Sequence, residues 1–457
     1  MLTGAEYLES LDDGRITIFE GQRVTDLPGH TVLGAAVHRV AAGYEWLAAN
    51  AVDGQSPLAG VPTSPEELRA KVDVVHHAGM MAHVTYTSIM TLATAAGRIK
   101  DAAPGYIEPI QAFIEDAHRR DIRITQCITD AKGDRSRPPG KQDDPDQYVR
   151  VVDRQADGVV IRGAKLHITG ASLGHELLTI PTKAMKAGEE DYAIACMVPV
   201  NAPGVKIINT TYAPRHADTR DFPVSGKDAA PEGFVIFDDV FVPRDRVFLD
   251  GEVSLAAMFA HSLGLWERLG GLSGMADQAD MLVGLAQLVA ESNGLAGEAH
   301  IKEKISEMII HATVVRACLE ACLTHAQIGP FGAAFPDELY TNAGKYTGAA
   351  NYSLMVRHLH DIAGGAIVTA PSISDLESAE VGGLARKYMS GASGDGEYRT
   401  RLFHLIRDLT ADAYGGWQAV TAIQAGGGIY AQRIVTRKHY DLDRARALAR
   451  HAAGVEA

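Results

Sequence analysis

The chain has 457 residues, 46% of them hydrophobic and 22% charged, and a formal charge of -14. That length exceeds what one hydrophobic core usually serves, so two or three structural regions around a large interior are expected, with room for a large cofactor. The acidic balance argues against nucleic acid or an anionic membrane surface as a partner, because no basic patch offsets it; Arg433, Arg437 and Lys438 stand among apolar residues and read as a solvated helix face.

The opening residues, Met-Leu-Thr-Gly-Ala-Glu-Tyr, are polar and acidic and lack the basic segment and apolar run of a secretory signal. No stretch approaches the roughly 18 uninterrupted apolar residues of a membrane span. The four cysteines, Cys127, Cys196, Cys318 and Cys322, are sparse for the length and fit a reducing compartment better than a disulfide framework. The expectation is a cytoplasmic protein.

From Thr63 to about Arg120 the chain is poor in turn residues and helical in spacing, opening on the helix-start signature Ser64-Pro65-Glu66-Glu67. Short apolar segments bounded by Gly, Pro or Asp follow at 158–169, 192–198 and 234–237, and these predict strands of a compact β domain. After about Ser254 helical periodicity returns, with Ile305, Met308, Ile309, Ala312, Val315, Leu319 and Cys322 on one apolar stripe. Helices, then strands, then long helices predict an α+β fold and argue against a doubly wound sheet. The expected regions are a helical domain over 1–122, a β domain over 123–262 and a helical bundle over 263–457. No Walker loop and no G-x-G-x-x-G between strand and helix occurs; Gly426-Gly427-Gly428 sits between helical segments.

The chemically informative stretch is Thr129-Asp130-Ala131-Lys132-Gly133-Asp134-Arg135, with Arg162-Gly163-Ala164-Lys165-Leu166-His167-Ile168-Thr169-Gly170-Ala171 downstream. With Asp191-Tyr192-Ala193, Phe237-Asp238-Asp239-Val240-Phe241-Val242-Pro243 and Asp361-Ile362-Ala363-Gly364-Gly365, it resembles the 4-hydroxyphenylacetate 3-hydroxylase and 4-hydroxybutyryl-CoA dehydratase family, and the dehydratase branch more than the hydroxylases. The resemblance runs nearly end to end. It implies an acyl-CoA-dehydrogenase-like fold, usually tetrameric, with a flavin between the β domain and the bundle and a neighbouring subunit helping to hold the dinucleotide.

On that resemblance, Lys132 and Arg135 supply charge to FAD phosphates or an anionic substrate, with Asp130 in the same segment, and Thr129 and Thr169 bond the polar edge of the isoalloxazine. Gly170 lets backbone approach the ring, and Gly364 and Gly365, after Asp361, admit the pyrophosphate. Singly, Asp134 and Arg135 read equally as a loop ion pair and the glycines as turns; the ordered set favours a flavin site. Glu252 is a candidate general acid or base, against a solvated loop carboxylate. The position of the hydroxylases' phenol-contacting histidine falls near Gln126 or Cys127, either of which could hydrogen-bond a substrate, with an inward-packed strand residue as the alternative. His76, His77, His83, His167 and His175 are further acid-base candidates, although a lone histidine is more often structural.

The pattern also breaks. The dehydratase positions that hold a four-iron cluster fall on Thr85, Ile89, Leu265 and Leu272, none of which offers the thiolate or imidazole that such a cluster needs. Leu269 and Ser273 stand where the dehydratase carries a tyrosine and a lysine. Cys318 and Cys322, a turn apart on the apolar stripe, read as core. The leading expectation is therefore a flavin-dependent monooxygenase without an iron-sulfur cluster. Reduced FAD would come from a separate flavin reductase, and a drier pocket would favour reaction with dioxygen. Two alternatives stand beside it: a non-oxygenative flavoenzyme on an acyl thioester or small acid, and a flavin-free binding or scaffold protein.

Overall fold

The computed structural model describes residues 1–215 and 218–455. The N-terminal part contains α1 (Gly4–Ser10), β1 (Thr17–Phe19), β2 (Gln22–Arg23), α2 (Gly34–Ala49), α3 (Pro65–Ala78), α4 (Met80–Ile99) and α5 (Ile107–Arg120). Helix α3 starts as its sequence dictates: the Ser64 side chain accepts a hydrogen bond from the Glu67 amide, and Pro65 occupies the first turn, where its missing N–H costs nothing. Only Gly79, at φ +88°, separates α3 from α4, so the chain turns sharply between two helices at a conformation few other residues adopt.

The middle of the chain forms β3 (Ile124–Cys127), β4 (Arg150–Arg154), β5 (Gly158–Thr169), β6 (Glu176–Thr179), β7 (Ile194–Pro199), β8 (Val205–Thr210), the short helix α6 (Ser225–Asp228), β9 (Glu232–Pro243) and β10 (Val247–Asp250). They make two sheets, in the orders β2-β1-β8-β9-β5-β4 and β10-β7-β6-β3. Val159, Ile161, Val235 and Phe237 of the first share one core with Leu177, Cys196 and Val198 of the second, the inward halves of two alternating patterns. The N-terminal part is thus not purely helical. Strand β1 runs parallel to β8 and places Phe19 in the core cluster of α1 and α2, tying that part to the six-stranded sheet.

The remainder is helical: α7 (Ala256–Ser292), α8 (Ala299–Thr324), the hairpin β11 (Gln327–Ile328) and β12 (Ala334–Phe335), α9 (Glu338–Ala363), α10 (Ala366–Thr369), α11 (Ile373–Glu377), α12 (Gly382–Met389), α13 (Gly396–Thr410), α14 (Ala413–Gln424), α15 (Ile429–His439) and α16 (Leu442–Ala453). Helices α7, α8 and α9 pack along one another around Leu272, Met308, Val315, Leu319 and Tyr352. Close approach of α9 depends on glycine: a Cβ on Gly344 would lie 2.5 Å from the Cys318 Cβ, and one on Gly348 2.6 Å from the Met275 sulfur. The boundary expected between 262 and 263 lies inside α7, whose first turns pack Phe259 and Leu263 under the four-stranded sheet. Of the α8 stripe, Ile309 faces outward with 48% exposure while its other members are buried. No helix among the described residues is long and apolar enough to cross a membrane.

Candidate functional site

A cavity of about 500 Å³ opens where α3, α4, α7, α9 and α14 meet the end of β5. Much of its wall is apolar: Val72, Val75 and Val84 from α3 and α4, Trp266, Leu269 and Met275 from α7. Two adjacent glycines in α7 make room for its polar equipment. A Cβ on Gly270 would fall 2.0 Å from His83 Cε1, and one on Gly271 2.6 Å from Lys345 Cε, so only a glycine pair lets both side chains lie flat against this helix.

His83 is half-buried, and its Nε2 stands 3.9 Å from Glu267. Burial pushes its imidazole below the ordinary value, with Glu267 opposing and His76 adding to the shift. Thr87 donates to Glu267 at 3.1 Å and accepts from Gln126 Nε2 at 2.8 Å, which links strand β3 to the cavity. Lys345, 1% exposed, donates to the Ala422 carbonyl at 2.7 Å. Burial pushes its ammonium down to about 8, with Arg268 adding and Glu267 opposing. Across the cavity, Glu232 accepts from Thr169 Oγ1 at 3.0 and 2.9 Å and from Trp417 Nε1 at 2.9 Å. Burial raises this carboxyl against the pull of those two bonds. Trp417 stacks on Tyr212, with ring centroids 4.5 Å apart. Tyr86, edge-on to Trp266, carries a buried hydroxyl with no hydrogen-bond partner among the described residues.

The chain matches the family profile described as 4-hydroxyphenylacetate 3-hydroxylase N terminal over residues 3–249 and the C-terminal profile over 256–454. It belongs to the 4-hydroxyphenylacetate 3-hydroxylase family. It is 27% identical to the 4-hydroxybutyryl-CoA dehydratase/vinylacetyl-CoA-Delta-isomerase of Clostridium aminobutyricum, with 100% of both chains covered. It is 28% identical to the 4-hydroxyphenylacetate 3-monooxygenase oxygenase component of Thermus thermophilus, over 91% of this chain and 90% of that one. The oxygenase component of a 4-hydroxyphenylacetate 3-monooxygenase, solved with FAD and 4-hydroxyphenylacetate, superposes with a TM-score of 0.87 at 25% identity, covering 99% of each chain. The fold is that of the acyl-CoA dehydrogenases: helices, a β domain and a helical bundle.

Within this family member, Thr169 lines the cavity and Gln126 reaches it through Thr87. Gly170 follows at φ +66°, and its missing Cβ would sit 2.2 Å from the Met81 sulfur, so packing against α4 already demands glycine there. Thr129, Lys132 and Arg135 lie on the loop after β3, outside the cavity lining. The Thr129 carbonyl accepts from the Leu166 amide at 2.7 Å; Lys132 is half-buried at φ +71°, and Arg135 is exposed. Burial lowers the Lys132 ammonium, and Arg135, Lys165 and Lys183 lower it further, which marks a locally cationic loop. Asp134 pairs with Arg137 at 3.1 Å rather than with Arg135.

Other expected site residues have different surroundings. The Asp130 carboxylate is buried, and its Oδ1 is engaged by Lys165 at 2.8 Å and by the Val149 amide at 2.9 Å, so it braces the β domain. Glu252 lies outside the cavity lining, where the Tyr106 hydroxyl lies 3.0 Å from both of its oxygens. Asp361, Gly364 and Gly365 are exposed at the C-terminal end of α9, with Asp361 paired to Lys304 and Gly364 at φ +77° capping the helix. His175 is a half-buried framework group: burial and then Arg15 and Arg123 push it down to about 3, and it binds Ser10 and the Arg123 amide. His77 stacks on Trp46, and His167 is exposed at φ +61°.

The positions matched to the dehydratase's cluster ligands are all buried. The Thr85 hydroxyl donates to the Met81 carbonyl, and Ile89, Leu265 and Leu272 are apolar. Burial pushes the Cys127, Cys196 and Cys322 thiols up to about 12, opposite to what a metal thiolate needs. Lys345, Glu267 and Trp417 were not singled out from the sequence; the Gly270-Gly271 pair inside a helical pattern was the one local sign of close approach.

Proposed function

We propose that this chain is a flavin-dependent monooxygenase that acts on a small organic molecule with reduced FAD delivered by a separate flavin reductase. The observation that carries the reading is the cavity: it is large enough for an aromatic ring system, walled by Val72, Leu269, Met275 and Trp266, and bordered by a few convergent polar groups. The fit to a flavin rests on three features: the orphaned Tyr86 hydroxyl, the Thr169–Glu232–Trp417 bond pair, and the stacked Trp417 and Tyr212. Thr169 and Lys345 would meet the polar edge of the ring, and Lys132 and Arg135 its phosphates. FAD supplies electron transfer and, when reduced, reactivity toward dioxygen. The protein's own contribution is to exclude water with the apolar wall and to hold protons at His83 Nε2 and Lys345 Nζ. Thr85, Ile89, Leu265 and Leu272 give a cluster no ligands, which supports a reading without iron-sulfur chemistry. Asp361, Gly364 and Gly365, exposed at the C-terminal end of α9, would serve a dinucleotide held by a second copy of the chain.

A non-oxygenative flavoenzyme is the second reading, favoured by full-length similarity to the dehydratase and by the acid-base trio His83, Glu267 and Lys345 in one cavity. Oxygen labelling separates the two. With reduced FAD, ¹⁸O₂ and a panel of small phenols and acyl thioesters, the monooxygenase reading predicts one labelled oxygen atom in the product; turnover under nitrogen contradicts it.

A further inference from the structure

We infer that Ser273, His76 and Asp277 form a base-activated acyl-acceptor site, in which Ser273 attacks the carbonyl carbon of an ester or thioester held in the cavity. His76 Nε2 lies 2.6 Å from Ser273 Oγ, and His76 Nδ1 lies 3.2 Å from an Asp277 oxygen. The first contact is the one a serine nucleophile requires, a ring nitrogen placed to take the hydroxyl proton; Asp277 lies beside the other ring nitrogen, where its charge favours the imidazolium that forms when the proton is taken, without a hydrogen bond fixing the tautomer. Arg316 holds the same carboxylate at 2.9 Å from the far side. All three triad residues line the large cavity. Ser273 and Asp277 are one turn apart on α7, and His76 comes from the last turn of α3.

The serine itself departs from its local default. Along α4 and earlier on α7, Thr85, Ser88, Thr91 and Ser262 all donate to the carbonyl one turn back. Ser273 makes no such bond among the described residues; its hydroxyl is paired with His76. It is 3% exposed, whereas the side chains of His76 and Asp277 are 36% and 52% exposed, so the nucleophile is set inward and its base at the rim. Gly274 beside it has open space where a Cβ would stand, which leaves room for an acyl group. One turn earlier on the same face, His83 Nε2 lies 2.6 Å from the Cβ position of Gly270. Residues three apart on a helix face have Cβ positions about 5–6 Å apart, so His83 borders the same stretch of cavity wall as Ser273.

The chemistry balances without a cofactor. Ser273 Oγ forms a bond to the carbonyl carbon as the C–S or C–O bond to the leaving group breaks; the hydroxyl proton passes to His76 Nε2 and then to the departing thiolate or alkoxide. Water, deprotonated by the same imidazole, cleaves the acyl-serine and releases a carboxylic acid. This inference stands apart from the flavin reading, and its test contains no flavin. The full chain is incubated with a fluorophosphonate probe and with p-nitrophenyl acetate, and modified peptides are located by mass spectrometry. The expected result is modification of Ser273, absent in S273A and at least tenfold slower in H76Q, with both variants matching the parent chain's thermal unfolding. A folded parent chain that leaves Ser273 unmodified by both reagents overturns the proposal, as does equal labelling of S273A.

Discussion

Lys345 shows how one residue reports on the whole cavity. An ammonium pushed down to about 8 binds fewer protons in the folded chain than in the unfolded one, where the ordinary value is 10.5. Folding stability therefore gains from this group as pH rises from about 8 toward 10.5, by about 3 kcal/mol at full extent. Buried thiols and phenols pull the other way, since their raised values favour the protonated folded form as pH climbs. The clean observable is the difference between the parent chain and K345M. Urea unfolding at pH 7.5 and pH 9.5 is expected to show the parent gaining stability relative to K345M at the higher pH; an unchanged difference would place the lysine in a solvated setting. Residues of this kind were hard to read in advance, because nothing near Lys345 in the chain signals that it lies against Gly271 from another helix.

Among the elements, strand β5 and helix α3 were the most legible. The bounds 158–169 follow from an alternating run closed by glycine on both sides, and α3 follows from its capping serine and proline. Legibility fell where tertiary pairing decides the outcome: β1 is too short to declare itself and exists because β8 offers an edge. The loop after β3 shows both sides of this. Its residues 129–135 stood out as a motif, yet the role of Asp130 is set by Lys165 on β5, which sequence spacing does not reveal. Both side chains are 2% exposed, and Lys165 also donates to the Ile128 and Ile180 carbonyls at 3.0 and 2.9 Å. Removing one partner of such a pair strands a buried charge at a cost of about 3–5 kcal/mol. D130N is expected to lose that much in urea unfolding, with partial recovery in the D130N/K165M double variant. A loss below about 1 kcal/mol would show that the pair does not anchor the loop.

For the whole molecule, the order helices, strands, bundle was readable because each segment keeps one hydrophobic period over many residues. The site was less so. It is assembled from α3, α4, β5, α7, α9 and α14, and its composition depends on which faces the bundle turns inward. The outer face is equally informative: Met281 and Leu288 of α7 and Ile309, Ile310 and Val314 of α8 are 39–63% exposed. Apolar residues on two packed neighbouring helices suit a contact with a second copy, in line with the tetramer that the family resemblance implies. Sedimentation is expected to give a tetramer for the parent chain and smaller species for I310E/V314E; a parent chain that sediments as a monomer would refute this.

The cavity between the β domain and the bundle is proposed to accept a flavin, and a structure determined with FAD bound decides the matter. The isoalloxazine is expected in the cavity lined by Leu269, Thr169, Trp417 and Lys345, with Thr129 and Arg135 contacting the ring or its phosphates. A ring bound elsewhere, or side chains of this cavity closed over the space with FAD excluded, would contradict it.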